Sequence, residues 1–480
     1  MYKTLKILSI FAIFLGILSC EREYSFRGNE EGLHFSADTI TFDTIFTTIG
    51  SATQYLKVYN PYGVDMIIDA IKLAGGENSK FFKLNINGFP GNEQIDIPLN
   101  SKDSLFIFVE ITVDPLENMN SFIIEDSIVF FTKDKIQSVF LNAFVQDVTV
   151  CNGLVISSDT IFTKEKPYLI YDSLIVSSSK TLKIEKGAHL HFYKNAFLRV
   201  EGTLIVEGTK DEPVLFAGHR LELFYADKPG QWGYIHLQGG SKNHKINHAI
   251  IKNSYIGLRV DSVGLGGDQP LELSNTIIDY IATNGLEVQT SVIDAYNCVF
   301  GNCGGASVAL TIGGKYNFYH CTIANFQGYR RVAALVISNY YKDKELNNNI
   351  FARLDAANFY NSIIYGVKDN EIYLDFKKDT DTEIINWCFD HVLMRSDAKV
   401  DSLNNRKHFI NIINDNNPKD PKDPAFVDYT KTNFQLDTLS AAKDKGSRKI
   451  VLDKLEHLGT DLLGRTRDEK PDLGAYERIE

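Results

Sequence analysis

Apolar and polar residues alternate along this chain in two ways, and the change of pattern divides it. From Leu33 to about Asp147 the alternation has a period of two and strand length. Leu105, Ile107, Val109, Ile111 and Val113 form one run, and Val139, Leu141, Ala143 and Val145 another. A strand turns one side to a core and the other to water, so each run predicts a half-buried strand. Asn60-Pro61 and Asn87-Gly88 punctuate the runs as turns. Several short strands in one such stretch predict a β-sandwich.

Between Ile246 and Leu393 a different motif returns six times. A polar anchor stands at His248, Asn275, Asn297, His320, Asn361 and Asp390. Two residues earlier come Ile246, Leu273, Ala295, Phe318, Phe359 and Cys388, and three residues later Ile251, Ile278, Phe300, Ile323, Ile364 and Leu393. Successive anchors are 27, 22, 23, 41 and 29 residues apart, and the 41 reads as two periods with one degenerate copy. A further strand-like piece follows each of the first five anchors, with Arg259, Glu287, Ala309, Val336 and Tyr373 at its outward centre. Such a period predicts a coil of β-pieces in which each turn buries its apolar residues against the turns above and below. Asn tolerates left-handed backbone angles at a bend, and stacked side chains can hydrogen-bond from turn to turn. The six anchors are therefore expected to form a structural ladder and not a ligand site. Ahead of them, Val-Glu-Gly-Thr occurs at 200–203 and again at 206–209, where glycine marks bends.

The net charge of −11 and the lack of a long basic run argue against nucleic acid as a partner. Lys3 and Lys6 precede an apolar run from Ile7 to Leu18, too short to span a bilayer and flanked like a signal peptide. It ends in Leu18-Ser19-Cys20, which resembles a bacterial lipobox. The resemblance implies removal of residues 1–19, lipid on Cys20, a tether over 20–32, and membrane attachment through that lipid at the cell envelope, in the outer membrane. The other five cysteines are odd in number and not closely paired, so no disulfide framework is expected.

Two further resemblances concern folds. Phe42-Asp43-Thr44, Ile49-Gly50-Ser51 and the run from Leu56 to Pro61 resemble the immunoglobulin-like modules of bacterial surface proteins. At the other end stand Asp423-Pro424-Ala425-Phe426, Asn433-Phe434-Gln435-Leu436, Gly459 to Arg465 and Pro471 to Glu477. This ending resembles the terminal segment of the right-handed parallel β-helix, pectin-lyase-like proteins of bacteria, with Ala441 and Lys443 as departures from the pattern. The implied architecture is all-β: an immunoglobulin-like β-sandwich over 33–148, a right-handed parallel β-helix over 152–425, and a C-terminal capping segment over 426–480. That segment is expected to close the open end of the coil, because an exposed strand edge pairs with other chains.

The pectin-lyase-like fold implies polysaccharide lyases and glycoside hydrolases among its members. A lyase needs clustered carboxylates for calcium and a base, and a hydrolase needs two carboxylates about 5–10 Å apart. Asp279 and Asp294 are the nearest carboxylates, with no third acid in register. His189 and His191 share a strand face without a third ligand, so a solvated face, no metal and no cofactor are expected. Tyr296, Tyr319 and Tyr360 each precede an anchor and form an aromatic stripe that either stacks on sugar rings or packs internally. Arg330 and Arg331 lie in a loop where they would meet an acidic sugar. The expected function is non-catalytic binding of polysaccharide or an adhesion target through the β-helix. The alternatives are a polysaccharide lyase or glycoside hydrolase, and a structural spacer.

Overall fold

The computed structural model describes residues 32–114, 121–133, 135–343, 348–377, 384–400, 402, 405–416 and 423–478. Cys20, the expected signal segment and nearly all of the tether lie outside the described residues. The chain is all-β in its architecture and divides into two compact units, Met1–Asp147 and Val148–Glu480.

Among the described residues the first unit is a sandwich of two five-stranded sheets. Gln54–Tyr59, Ser104–Ile111 and Phe82–Ile86 form the centre of one, and Lys135–Gln146, Ser121–Thr132 and Met66–Leu73 the centre of the other. The alternating runs place Leu105, Ile107, Val109 and Ile111 from one sheet and Val139, Leu141, Ala143 and Val145 from the other in a single core. Asn60 anchors its turn from inside: its buried Nδ2 donates to the carbonyls of Val64 at 2.8 Å and Asn100 at 2.9 Å. Asn87 and Gly88 both take positive φ, 52° and 89°, as a tight two-residue hairpin turn requires.

In the second unit, twenty-four strands among the described residues join in one all-parallel ladder, the topology of a parallel β-helix. Each turn of the coil has three faces. The first face includes Thr181–Glu185, Thr203–Glu207, Lys245–Asn247 and Leu271–Ser274. The second includes His189–Phe192, Val214–Gly218, Ala249–Lys252 and Ile277–Asp279. The third includes Phe197–Val200, Ile235–Leu237 and Leu258–Asp261. The inward residues stack in register, with Ile246, Leu273, Ala295, Phe318 and Phe359 in one column. Ile251, Ile278, Phe300, Ile323 and Ile364 form another. Gly202 and Gly208 sit where turns touch: a Cβ on either would lie 2.1 Å from a backbone oxygen of the neighbouring turn.

The corner between the first and second faces is made by His248, Asn275, Asn297, His320 and Asn361, all left-handed with φ between 47° and 51°. Asn297 Nδ2 donates to Asn275 Oδ1 at 3.2 Å, and Asn361 Nδ2 lies 2.9 Å from His320 Nε2. Two expectations are corrected here. The interval of 41 residues holds no degenerate turn, because His320 and Asn361 are on neighbouring turns. The extra length is an inserted antiparallel hairpin, Tyr340–Asp343 with Asn348–Phe351. The sixth bend residue is His391, with φ 53°, and not Asp390, which pairs with Tyr360 one position earlier. The inward residue is then Met394, opposite Ile364, although Leu393 is equally buried. A strand buried on both sides carries no alternation from which its register can be read.

Leu393 is buried because the C-terminal segment covers it. Expected over the open end of the coil, that segment lies along a flank. Phe434, Leu462, Ala475 and Tyr476 pack on Val299 and Ala324, while Leu436, Ala442 and Leu473 pack on Ile363, Tyr365 and Leu393. Two short helices, Arg448–Asp453 and Leu455–Leu458, bring Val451 and Leu458 onto Tyr296. The apolar outward side of the second face leaves a strip that must be shielded from water, and this segment shields it.

Candidate functional site

The outward side of the first face concentrates hydrogen-bonding groups, and the two short helices pack on it at Tyr296 and Tyr319. Two columns run along it in register. One contains Lys245, Glu272, Asp294, Asn317, Asn358 and Cys388; the other contains Asn247, Ser274, Tyr296, Tyr319, Tyr360 and Asp390. In the first column three neighbouring pairs are tied from turn to turn. Lys245 Nζ lies 2.9 Å from Glu272, Asn317 Nδ2 donates to Asp294 Oδ1 at 2.8 Å, and Asn358 Nδ2 donates to Asn317 Oδ1 at 3.0 Å. All but the exposed Lys245 are half-buried.

Beside this column is a hollow of about 240 Å³ lined by Asn243, His244, Lys245, Glu272, Asp294 and Tyr296 together with Gln269 and Pro270. A larger hollow, about 430 Å³, shares Asn243 with it and runs between Ser178, Glu201, Thr203, Gln238 and Lys242. His244 stiffens the wall between them. Its Nδ1 accepts from the Leu204 N–H at 3.1 Å, which leaves Nε2 to donate to Ser241 Oγ at 2.9 Å. Burial pulls its pKa down to about 4, so the ring is neutral at pH 7.

Tyr296 and Tyr319 do not supply a stacking platform. Tyr296 and Tyr319 lie 5.2 Å apart and within 9° of parallel, and Tyr319 and Tyr360 lie 4.9 Å apart and within 15°. Parallel rings at that spacing cover one another's faces and turn only edges and hydroxyls outward. The remaining face of Tyr296 is covered by His457 at 4.2 Å, and the residue is 3% exposed. Tyr296 is a packing residue; Tyr319 and Tyr360 remain half-buried.

Arg330 is also corrected. Its side chain is fully buried in an ion pair with Glu371, and its guanidinium donates to the carbonyls of Val332 at 2.7 Å and Asn325 at 2.9 Å. Glu371 in turn accepts from the backbone N–H groups of Ala334 and Lys368. The pair satisfies the backbone of an irregular loop and cannot reach a sugar, whereas Arg331 is exposed.

Other positions separate in the same way. Asp294 lines the hollow, but Asp279 is buried beside the C-terminal segment, near Thr432. Burial raises its pKa to about 6 against the opposing pull of Lys252. On the third face Arg259 and Glu287 stack in register, yet Arg259 pairs with Asp261 at 3.1 Å. His189 is exposed, but His191 is buried, with Nδ1 3.1 Å from the Gly218 carbonyl. Among the described residues no group of His, Cys, Asp or Glu is arranged to hold a metal ion.

Lys245, Glu272, Asn317 and Asn358 escaped notice in the sequence, although a signal exists. Each stands three residues before a bend residue, so a polar position recurs at that offset on every turn from His248 to Asn361.

No family model and no curated protein sequence matches the chain. Among solved structures it is similar to a PapD-like domain of human CEP192, at 10% identity, covering 27% of this chain and 94% of that one with a TM-score of 0.17. It is similar to a family 123 glycoside hydrolase from Clostridium perfringens at 10% identity, covering 28% of this chain and 30% of that one with a TM-score of 0.19. The E. coli chaperone DraB matches at 15% identity, covering 24% of this chain and 55% of that one with a TM-score of 0.17. The chain thus spans less than two thirds of the last two proteins. At these TM-scores the likenesses carry no argument.

Proposed function

We propose that this protein is a lipid-anchored component of the bacterial cell envelope, attached at the outer membrane through Cys20. In this reading an immunoglobulin-like domain leads into a pectin-lyase-like, right-handed β-helix, which binds an extended polysaccharide without turning it over. The observation that supports binding is the polar column of Lys245, Glu272, Asp294, Asn317 and Asn358, in register on successive turns beside a polar hollow of about 240 Å³. Carboxylates and carboxamides repeated on successive turns, about 4.8 Å apart, meet the repeated hydroxyls of a polymer laid along the coil. Calorimetry on residues 21–480 with a panel of polysaccharides tests this, with Asn317→Ala and Asn358→Ala as the variants. Binding that both variants weaken supports the reading. A protein that binds no polymer is left with the role of a spacer.

One observation favours a second reading. Glu272 and Asp294 are opposite one another on adjacent turns, a separation that suits the paired carboxylates of a retaining glycoside hydrolase. New reducing ends, lost together in Glu272→Gln and Asp294→Asn, would establish hydrolysis and end the non-catalytic reading.

A further inference from the structure

Charges that line the two hollows are paired in a way that selects among polysaccharides. Lys245 is paired with Glu272 at 2.9 Å, Lys242 with Asp268 at 3.7 Å, and Glu201 with Arg199 at 3.1 Å. Asp294 is left over. It accepts from Asn317 at 2.8 Å, and among the described residues no cation pairs with it. Lys315, exposed on the next turn, stands opposite Val292 and not opposite Asp294.

Resting on the reading of the first face as a polysaccharide site, we infer that its ligand is a neutral, hydroxyl-rich polymer and that uronic acid polymers are excluded. A uronate carboxylate entering the hollow would lie beside the half-buried Asp294, with the neighbouring cations already neutralised. A sugar hydroxyl suits the same position, because it donates to Asp294 and accepts from the carboxamides of Asn317 and Asn358. Each carboxamide already spends one donor on the turn before it, which leaves a second N–H free for the ligand. The protein's net charge of −11 acts in the same direction at longer range.

The test is affinity electrophoresis and calorimetry with neutral glucans and mannans, a polyuronate, and a polymer of unsubstituted amino sugars, in low and in moderate salt. The neutral polymers should bind with little dependence on salt, and the polyuronate at least tenfold more weakly. Asp294→Lys should reverse that order and Asp294→Asn should narrow it, because each removes the carboxylate that repels the uronate. Circular dichroism of each variant checks that it folds. Tighter binding of the polyuronate by the wild type, with steep salt dependence, overturns this inference and leaves polysaccharide binding standing. Binding of the amino-sugar polymer alone overturns it as well. Binding of none of the polymers overturns the polysaccharide reading itself.

Discussion

Arg467 reaches from the C-terminal segment into the bend ladder, where its guanidinium donates to Asn297 Oδ1 at 2.9 Å. It also pairs with Glu477 at 2.9 Å, and its side chain is wholly buried. One residue thus joins the flank cover to the corner of the coil.

Removing Arg467 leaves Glu477 buried without its cation and Asn297 without a donor. Loss of one partner from a buried pair costs about 3–5 kcal/mol. Arg467→Ala should lower stability by that amount in urea denaturation, and Glu477→Gln by less, since an amide can still accept from Arg467. An Arg467→Ala protein as stable as wild type would show that the pair does not hold the segment.

The same interface should respond to pH. Burial raises Glu477 from 4.5 to about 7, with Arg467 opposing and Asp472 reinforcing the shift, and raises Asp279 from 3.8 to about 6. A carboxyl whose folded value lies above its unfolded value binds protons more tightly when folded. It destabilises the fold progressively as pH rises from the unfolded to the folded value, and fully above that. The segment should therefore be held more tightly at pH 5 than at pH 8, with the change between about pH 4 and 7. Hydrogen exchange at amides 459–477 reads this directly, and protection that rises towards pH 8 would contradict it.

Asn297 carries a second burden, the left-handed bend at φ 51°. Asn297→Leu should destabilise by roughly 1–3 kcal/mol, through backbone strain and lost hydrogen bonds. Asn297→Gly relieves the strain but not the lost bonds, so its cost should be smaller. Equal stability of the leucine variant and the wild type in thermal unfolding would remove Asn297 from the ladder's energetics.

Lipid on Cys20 is expected from Leu18-Ser19-Cys20. Metabolic labelling with an acyl probe should mark the wild type and spare Cys20→Ser. Labelling of both to the same degree would place the lipid elsewhere or nowhere.

The coil was legible in the sequence because its inward residues and bend residues recur together, as Phe318 with His320 and Phe359 with Asn361 do. Legibility ended where that coupling broke. The hairpin at 340–351 lengthens an interval without adding a turn, and spacing alone does not separate an insertion from a faded repeat. Leu393 and Met394 are both buried, so the last register was ambiguous by one residue. Arg330 looked available because a sequence shows charge but not Glu371, which is 41 residues away and meets it in the loop. The stripe of tyrosines was visible, but the orientation of its rings depends on packing against His457, which no local pattern encodes. The polar column at Lys245, Glu272, Asp294, Asn317 and Asn358 did recur at a fixed offset, and mixed residue types concealed it.

Asn297 and Arg467 are separated by 170 residues, and that distance sets an order of events during synthesis. Each turn of the coil needs only its neighbours, so turns can stack as the chain emerges. The flank over Val299, Ala324 and Ile363 must wait for Phe434, Leu436, Leu473 and Ala475. Until then the emerging chain carries a finished corner beside an uncovered apolar strip. The emerging chain is therefore most adhesive between the stacking of those turns and the arrival of the covering segment, and a chaperone that recognises apolar surface has its window there.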